Sequence, residues 1–123
     1  MVLKKSRNQV VGLFGETRIA ELCQHRGDEV VERNWRAREG EIDLITLDSQ
    51  GVFHFIEVKT RSSLAFGHPF DAITPAKLLR MQRLALGWLV THDCFGCEYQ
   101  IDIASVLVNA DGSHTIEYRA GVL

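Results

Sequence analysis

Proline is scarce in this sequence. Only Pro69 and Pro75 occur, both in the middle of the chain, and no Pro/Gly/Ser-rich stretch marks a linker between domains. Cysteine falls short of a disulfide framework. Cys23, Cys94 and Cys97 are an odd number, and no long apolar region follows the charged start Met1-Val2-Leu3-Lys4-Lys5-Ser6-Arg7. A cytoplasmic protein with free thiols is therefore expected. No run approaches the roughly 20 apolar residues that would span a bilayer. An excess of positive charge is also missing. The 14 Lys and Arg against 16 Asp and Glu leave a formal net charge of -2, which excludes a wholesale electrostatic grip on DNA or on an acidic membrane. Only local basic patches remain for contact with nucleic acid. There is no internal repeat. What is left is one domain, 1–123, long enough to bury roughly two-thirds of its unfolded surface around a single core.

Apolar residues at spacings of three and four, from Leu13 and Phe14 to Leu22 and Cys23, predict a helix over about Asn8 to Arg26 with Gly27 as its stop. Gly12 and Gly15 weaken its opening turns. Val30, Val31 and Trp35 suggest a strand over Asp28 to Ala37, and Gly40 marks the turn after it. The runs Glu41 to Leu47 and Val52 to Lys59 flank the hairpin-turn sequence Asp48-Ser49-Gln50-Gly51, and both read as central strands of a covered sheet. A second helix starts at Pro75 with Thr74 as its cap and reaches about His92. Its expected core side carries Leu78, Gln82, Ala85 and Leu89, flanked by Leu79, Met81 and Leu86, with Lys77, Arg80 and Arg83 on a polar side. Tyr99 to Val108 and Thr115 to Arg119 close the chain as strands. The sum is an α/β fold: a helix, a three-stranded meander, a helix and two strands, with a mixed central sheet flanked by helices.

Side chains alternate across a strand, so Glu41, Asp43, Ile45 and Leu47 should share one face, and Phe53, Phe55, Glu57 and Lys59 one face of the next strand. A hairpin turning at Asp48 to Gly51 then brings Asp43 close to Glu57 and Glu41 close to Lys59. Like-charged carboxylates side by side on a sheet cost stability unless a cation neutralises them. Oxygen ligands from Asp43 and Glu57 with the main-chain carbonyl of Val58 suit Mg²⁺ or Mn²⁺. Lys59 is placed to orient an attacking water and offset charge on phosphorus. Taken singly, each carboxylate is better explained by a structural ion pair, Glu41 with Lys59 or Asp43 with an arginine. It is the set that points to a metal.

The motifs Gly12-Leu13-Phe14-Gly15-Glu16 with Ala20, Asn34-Trp35-Arg36, Gly40-Glu41-Ile42-Asp43-Leu44-Ile45, Glu57-Val58-Lys59-Thr60-Arg61, Phe66-Gly67 and Lys77 cover nearly the whole chain. In them the sequence resembles the YraN-like family of bacterial proteins, itself similar to Holliday-junction resolvase-type PD-(D/E)XK endonucleases. The resemblance implies a restriction-endonuclease-like αβββαβ(β) core and a metal-dependent endonuclease acting on DNA, branched or structured DNA included. It implies Asp43 and Glu57 as metal carboxylates, Lys59 as the catalytic lysine, and Glu16, which periodicity alone leaves as a solvated acid in an early helical turn, as the acid that completes the site. By analogy it also implies a homodimer. One departure stands out: where the family often has Arg-Phe-Asp, this chain has Gln100-Ile101-Asp102, which leaves Asp102 as a structural acid or an outer partner of the cluster.

Arg36, Arg61, Lys77 and Arg80 are the expected nucleic-acid contacts, against the plain reading of a solvated charged face. Cys94-Phe95-Gly96-Cys97 has the spacing of half a zinc site, which only Cys23 or His25 would complete; reduced loop thiols are the simpler expectation. Trp35 either stacks on a base or covers core, and the loop from Ser62 to Pro75 either clamps substrate or merely connects. Two other functions stay open beside the nuclease: a catalytically silent nucleic-acid-binding or protein-assembly module of the same fold, and a metal hydrolase with a different substrate.

Overall fold

The computed structural model describes residues 6–65 and 67–123. The charged start up to Lys5 and the Phe66 of the Phe66-Gly67 pair lie outside the described residues.

Helix α1 (Arg7–His25) begins where Ser6 can cap it. The Ser6 hydroxyl accepts the Gln9 N–H at 3.2 Å, and the Gln9 side chain accepts the Ser6 N–H at 2.9 Å, so two N–H groups that the helix cannot satisfy are bonded reciprocally. It stops at Gly27, whose φ of +97° lets the Asp28 N–H turn back to the Cys23 carbonyl at 2.9 Å. Gly15, costly inside a helix, has a packing reason: a Cβ there would sit 1.8 Å from the Thr60 hydroxyl oxygen. The helix rests directly on the sheet at that point.

Strands β1 (Glu29–Ala37), β2 (Gly40–Leu47) and β3 (Phe53–Arg61) form the antiparallel meander. Helix α2 (Pro75–Thr91) then carries the chain across to β4 (Tyr99–Val108), and β5 (His114–Arg119) follows. The sheet order is β1-β2-β3-β4-β5, with β3 and β4 parallel and β4 and β5 antiparallel. A parallel neighbour requires a crossover, and the crossover places α2 on the face opposite α1. This is the expected mixed sheet flanked by helices, in αβββαββ order. The long parallel pairing also extends β3 to Arg61, two residues beyond its apolar run, and the connection before α2 contains a short 3-10 turn, Pro69–Ala72.

Each face has its own core. On one, Ile45, Phe53 and Phe55 pack under Met81, Leu84, Ala85, Trp88 and Leu89 of α2. On the other, Ile19, Ala20 and Cys23 of α1 cover Leu44, Ile56, Val58, Ala104 and Val106. Fully burying a Leu, Ile or Phe side chain contributes roughly 1.5–3 kcal/mol, so these two layers carry most of the stability. Ala85 and Leu89 of the expected core side of α2 are buried and Leu78 is half-buried against them, but the covered face extends round to Leu84 and Trp88. Met81, Leu84 and Trp88 are buried, while Leu79 and Leu86 are 50% and 39% exposed, because Trp88 swings under the sheet edge and donates its indole N–H to Glu32 at 3.0 Å. Trp35 is half-buried against the same layer, so it covers core.

At the turn end of the sheet, a buried polar network does the work of a clamp. His54 faces Asp102 through Nδ1 at 2.6 Å and Asp48 through Nε2 at 2.8 Å. Asp102, fully buried, also accepts from Tyr118, from Gln100 at 2.8 Å and from the Gly121 N–H at 2.9 Å. Burial alone would raise its pKa, but these hydrogen bonds outweigh it and hold the carboxyl below the ordinary range. Asp102 is therefore the structural acid: its partners are His54, Gln100, Tyr118 and the Gly121 N–H, none of which belongs to the cluster around Asp43.

Candidate functional site

Strands β2 and β3 are paired from Leu47 opposite Phe53 to Leu44 opposite Ile56, the register expected from the turn. One residue further the ladder gives way. Asp43 reaches across with its carboxylate, and Oδ2 accepts the Val58 N–H at 2.8 Å. On the other side of β2, the residue at the level of Asp43 is Asn34, between the pairs Arg33 with Leu44 and Trp35 with Ile42, and its φ is +54°. Strict alternation fails here: Ile42 packs in the α2-side core together with Ile45, while Leu44 faces α1. The distortion holds Asp43 at the level where the strands part, instead of on a flat sheet face.

Asp43 is only 7% exposed. Burial and then the neighbouring Glu57 charge push its pKa up to about 7, the Val58 hydrogen bond works against the rise, and Glu16 and Glu41 add to it. No arginine stands among these causes, so the structural ion pair open to Asp43 from sequence is not formed. Glu16, delivered by α1 one residue after the close contact at Gly15, has its pKa raised by burial. Asn34 and Arg33 oppose that rise, and Glu41 and Glu57 reinforce it. Its Oε2 is buried without a hydrogen-bond partner among the described residues. Periodicity had no signal for Glu16; its place depends on the tertiary docking of α1 on β3.

The other charges choose partners differently from the cross-strand pairing expected. Lys59 Nζ binds Glu57 Oε1 of its own strand at 2.9 Å, and Glu41 takes Arg36 across the β1–β2 ladder at 3.2 Å. The anticipated Glu41–Lys59 ion pair is absent because residues two apart on one strand face are nearer neighbours than a pair across strands that have separated.

Two cavities meet at this rim, and Glu41, Asp43, Glu57 and Lys59 line both. The one toward α2, about 300 Å³, is continued by Lys77 and Arg80. The one toward the start of α1, about 510 Å³, adds Glu16, Val58, Arg61 and Arg7. Lys77 Nζ is held by the Ala72 carbonyl at 3.0 Å. Of the expected basic contacts, Arg61, Lys77 and Arg80 thus border the rim. Arg36 does not line either cavity and is engaged with Glu41.

As they lie, no three His, Cys, Asp or Glu side chains among the described residues are gathered closely enough to hold a metal ion. In kind, the donors still suit one. An unpartnered buried Glu16 oxygen and a buried Asp43 carboxyl with no cationic partner among the described residues, with Glu57 beside it, make an all-oxygen, net-negative set, the preference of a hard divalent cation. Zinc at Cys94 and Cys97 is not supported. Of its two expected completions, Cys23 is fully buried in the α1-side core, where burial pushes its thiol up to about 11, and His25 joins no metal-holding group among the described residues.

Fold and rim define a class: an α/β protein with a five-stranded mixed sheet flanked by helices, and a cluster of acids and one lysine where two central strands separate. The chain belongs to the uncharacterised protein family UPF0102, whose family model matches residues 15–106, a span that contains Glu16, Asp43, Glu57 and Lys59. A UPF0102 protein of Beutenbergia cavernae is 46% identical over 112 residues, 91% of this chain and 94% of that protein. One from Arthrobacter sp. (strain FB24) is 41% identical over 92% of this chain and 95% of its own, and one from Paenarthrobacter aurescens is 37% identical over 99% of each. Among solved structures, Pyrococcus furiosus SfsA in complex with Ca²⁺ is similar with a TM-score of 0.44 and 17% identity, over 92% of this chain and 63% of that one. No helix among the described residues is long and apolar enough to cross a membrane.

Proposed function

We propose that this protein is a metal-dependent endonuclease of the cytoplasm that hydrolyses phosphodiester bonds in DNA, branched or structured DNA included, and that it works as a homodimer. The observation that carries the reading is the buried Asp43 carboxyl, crowded by Glu57, Glu16 and Glu41 and matched by no arginine. A binding module has no need of such crowding beside an anionic backbone, whereas a site for Mg²⁺ or Mn²⁺ does.

Asp43, Glu57 and Glu16, with the main-chain carbonyl of Val58, are the groups that would hold the ion. Bound there, it supplies Lewis-acid polarisation of a phosphate oxygen and lowers the pKa of a neighbouring water. The chain's own part is positioning and charge. Asp43 is fixed by the Val58 N–H, so its second oxygen keeps a constant direction. Lys59 exchanges Glu57 for the phosphate when the strand arrives, orients the attacking water and offsets the charge that grows on the phosphoryl oxygens. Arg61 on the α1 side and Lys77 and Arg80 on the α2 side neutralise flanking phosphates, which is enough for a protein of net charge -2 to bind DNA locally.

Labelled linear, single-stranded and four-way-junction DNA, incubated with the protein in Mg²⁺, Mn²⁺ or EDTA, tests this directly. Cleavage is expected with metal and not with EDTA, and Glu57→Ala and Lys59→Ala should each lower it on the order of 10²-fold or more. Cleavage that ignores EDTA or survives both substitutions rejects the site. Tight binding without cutting points to the silent module of the same fold.

A further inference from the structure

The acidic rim leaves one chemical motif unused, and it lies at the other end of α2. The helix ends at His92, and Asp93 takes the left-handed conformation with φ +54°. The Cys94 N–H then turns back to the Leu89 carbonyl at 2.8 Å, which pins Cys94 to the last helical turn. The next three residues make a tight turn: the Cys97 N–H bonds the Cys94 carbonyl at 3.0 Å, and Gly96 supplies the φ of +90° the turn requires. A turn closed by that bond keeps its first and last Cα atoms within about 7 Å. A disulfide is unstrained over roughly 4.4–6.8 Å. The backbone has thus brought Cys94 and Cys97 to bonding range, and both are free thiols.

Their surroundings differ in a useful way. Cys97 is exposed. Cys94 is half-buried against the α2-side core and donates its S–H to the His92 carbonyl at 3.3 Å. Burial, and then the facing Cys97 sulfur, raises the Cys94 pKa. One sulfur is open to an oxidant while the other is sheltered beside it. A third ligand for a metal is not at hand among the described residues.

We propose that Cys94 and Cys97 form a redox-active dithiol that closes to an intramolecular disulfide across this turn when the protein meets hydrogen peroxide. The Cys97 thiolate attacks one peroxide oxygen, the O–O bond breaks, and a sulfenic acid and one water result. The Cys94 sulfur then attacks the Cys97 sulfur, the S–O bond breaks, and the hydroxyl leaves with the remaining thiol proton as a second water. Two thiols are oxidised by two electrons, and one peroxide is reduced to two waters. Cys23, fully buried in the other core, takes no part. The dithiol lies at the turn end of β3, away from Glu57 and Lys59, and is independent of the nuclease reading.

The test uses the reduced full-length chain, treated with hydrogen peroxide, then denatured and alkylated. Alkylatable thiols should fall from the three of the sequence to one, the intact mass should drop by two hydrogens, and peptide mapping should join Cys94 to Cys97. In Cys94→Ser, which leaves the exposed sulfur without its partner, Cys97 should instead gain oxygens as sulfinic or sulfonic acid. In Cys97→Ser, Cys94 should remain alkylatable. Overoxidation of Cys97 in the unsubstituted protein, a disulfide-linked dimer through Cys97, or a link to Cys23 would each overturn the proposal.

Discussion

Replacing Asp43 by asparagine removes a charge while keeping the shape of the side chain and an oxygen that can accept the Val58 N–H. In the folded protein the Asp43 carboxyl is pushed up from 3.8 to about 7. It therefore holds its proton more tightly folded than unfolded, so stability is fullest below its ordinary value near 3.8 and declines as pH rises through about 7. At pH 8 the ionised carboxyl costs about 4 kcal/mol, taking 1.36 kcal/mol per pH interval. The amide makes a weaker bond to Val58 than the carboxylate, a loss of about 1 kcal/mol. Asp43→Asn should consequently stabilise the metal-free protein at pH 8 by roughly 2–3 kcal/mol, about 8–12 °C in Tm for a chain of this size, and by little at pH 4. Thermal denaturation in EDTA at both pH values measures this. With Mg²⁺ or Mn²⁺ at about 100 times its Kd, the unsubstituted protein should gain about 2.7 kcal/mol and the variant much less. A variant less stable than the parent at pH 8, or equally shifted at both pH values, would refute the account of Asp43 as a crowded, uncompensated charge.

Gly12 and Gly15 should respond oppositely to alanine. Gly12→Ala meets no atom of the described residues within 4 Å and should gain up to about 1 kcal/mol in urea denaturation, whereas Gly15→Ala must push Thr60 aside and should lose about 1–3 kcal/mol. The Asp102 hydrogen bond, the largest of its influences, raises the His54 pKa. Its contribution is therefore full below about 6.5 and lost as pH rises through the raised folded value. His54→Gln should cost about 1–3 kcal/mol at pH 6 and less at pH 9, measured by the same denaturation. Sedimentation at micromolar concentration should find a dimer, and a monomer under all conditions would remove the two-strand cutting that junction resolution requires.

Hydrophobic patterning made most of the fold legible. The strands were readable because β-branched and aromatic runs sat between strong turn sequences, and the Asp48 to Gly51 turn set the register that levels Asp43 with Glu57. The helix face was harder. Leu79 and Leu86 are as apolar as Leu84, and only the docking of Trp88 against Glu32 decides which of them is covered. His54 gave no signal, since a histidine in a strand reads as an ordinary alternating residue until Asp102 arrives from β4.

By itself, then, the order of residues determined the elements, the hairpin register, and the presence of Asp43, Glu57 and Lys59 on adjoining strands, because these depend on local propensity and on the two-residue period of a strand. Tertiary structure alone decided that Glu16 joins them, through the close seating of Gly15 on Thr60, that Asp43 has no arginine, and that Lys59 turns to Glu57 rather than Glu41. Those outcomes come from contacts between segments distant in the chain. Burial and charge act through space, and no spacing along one strand encodes them.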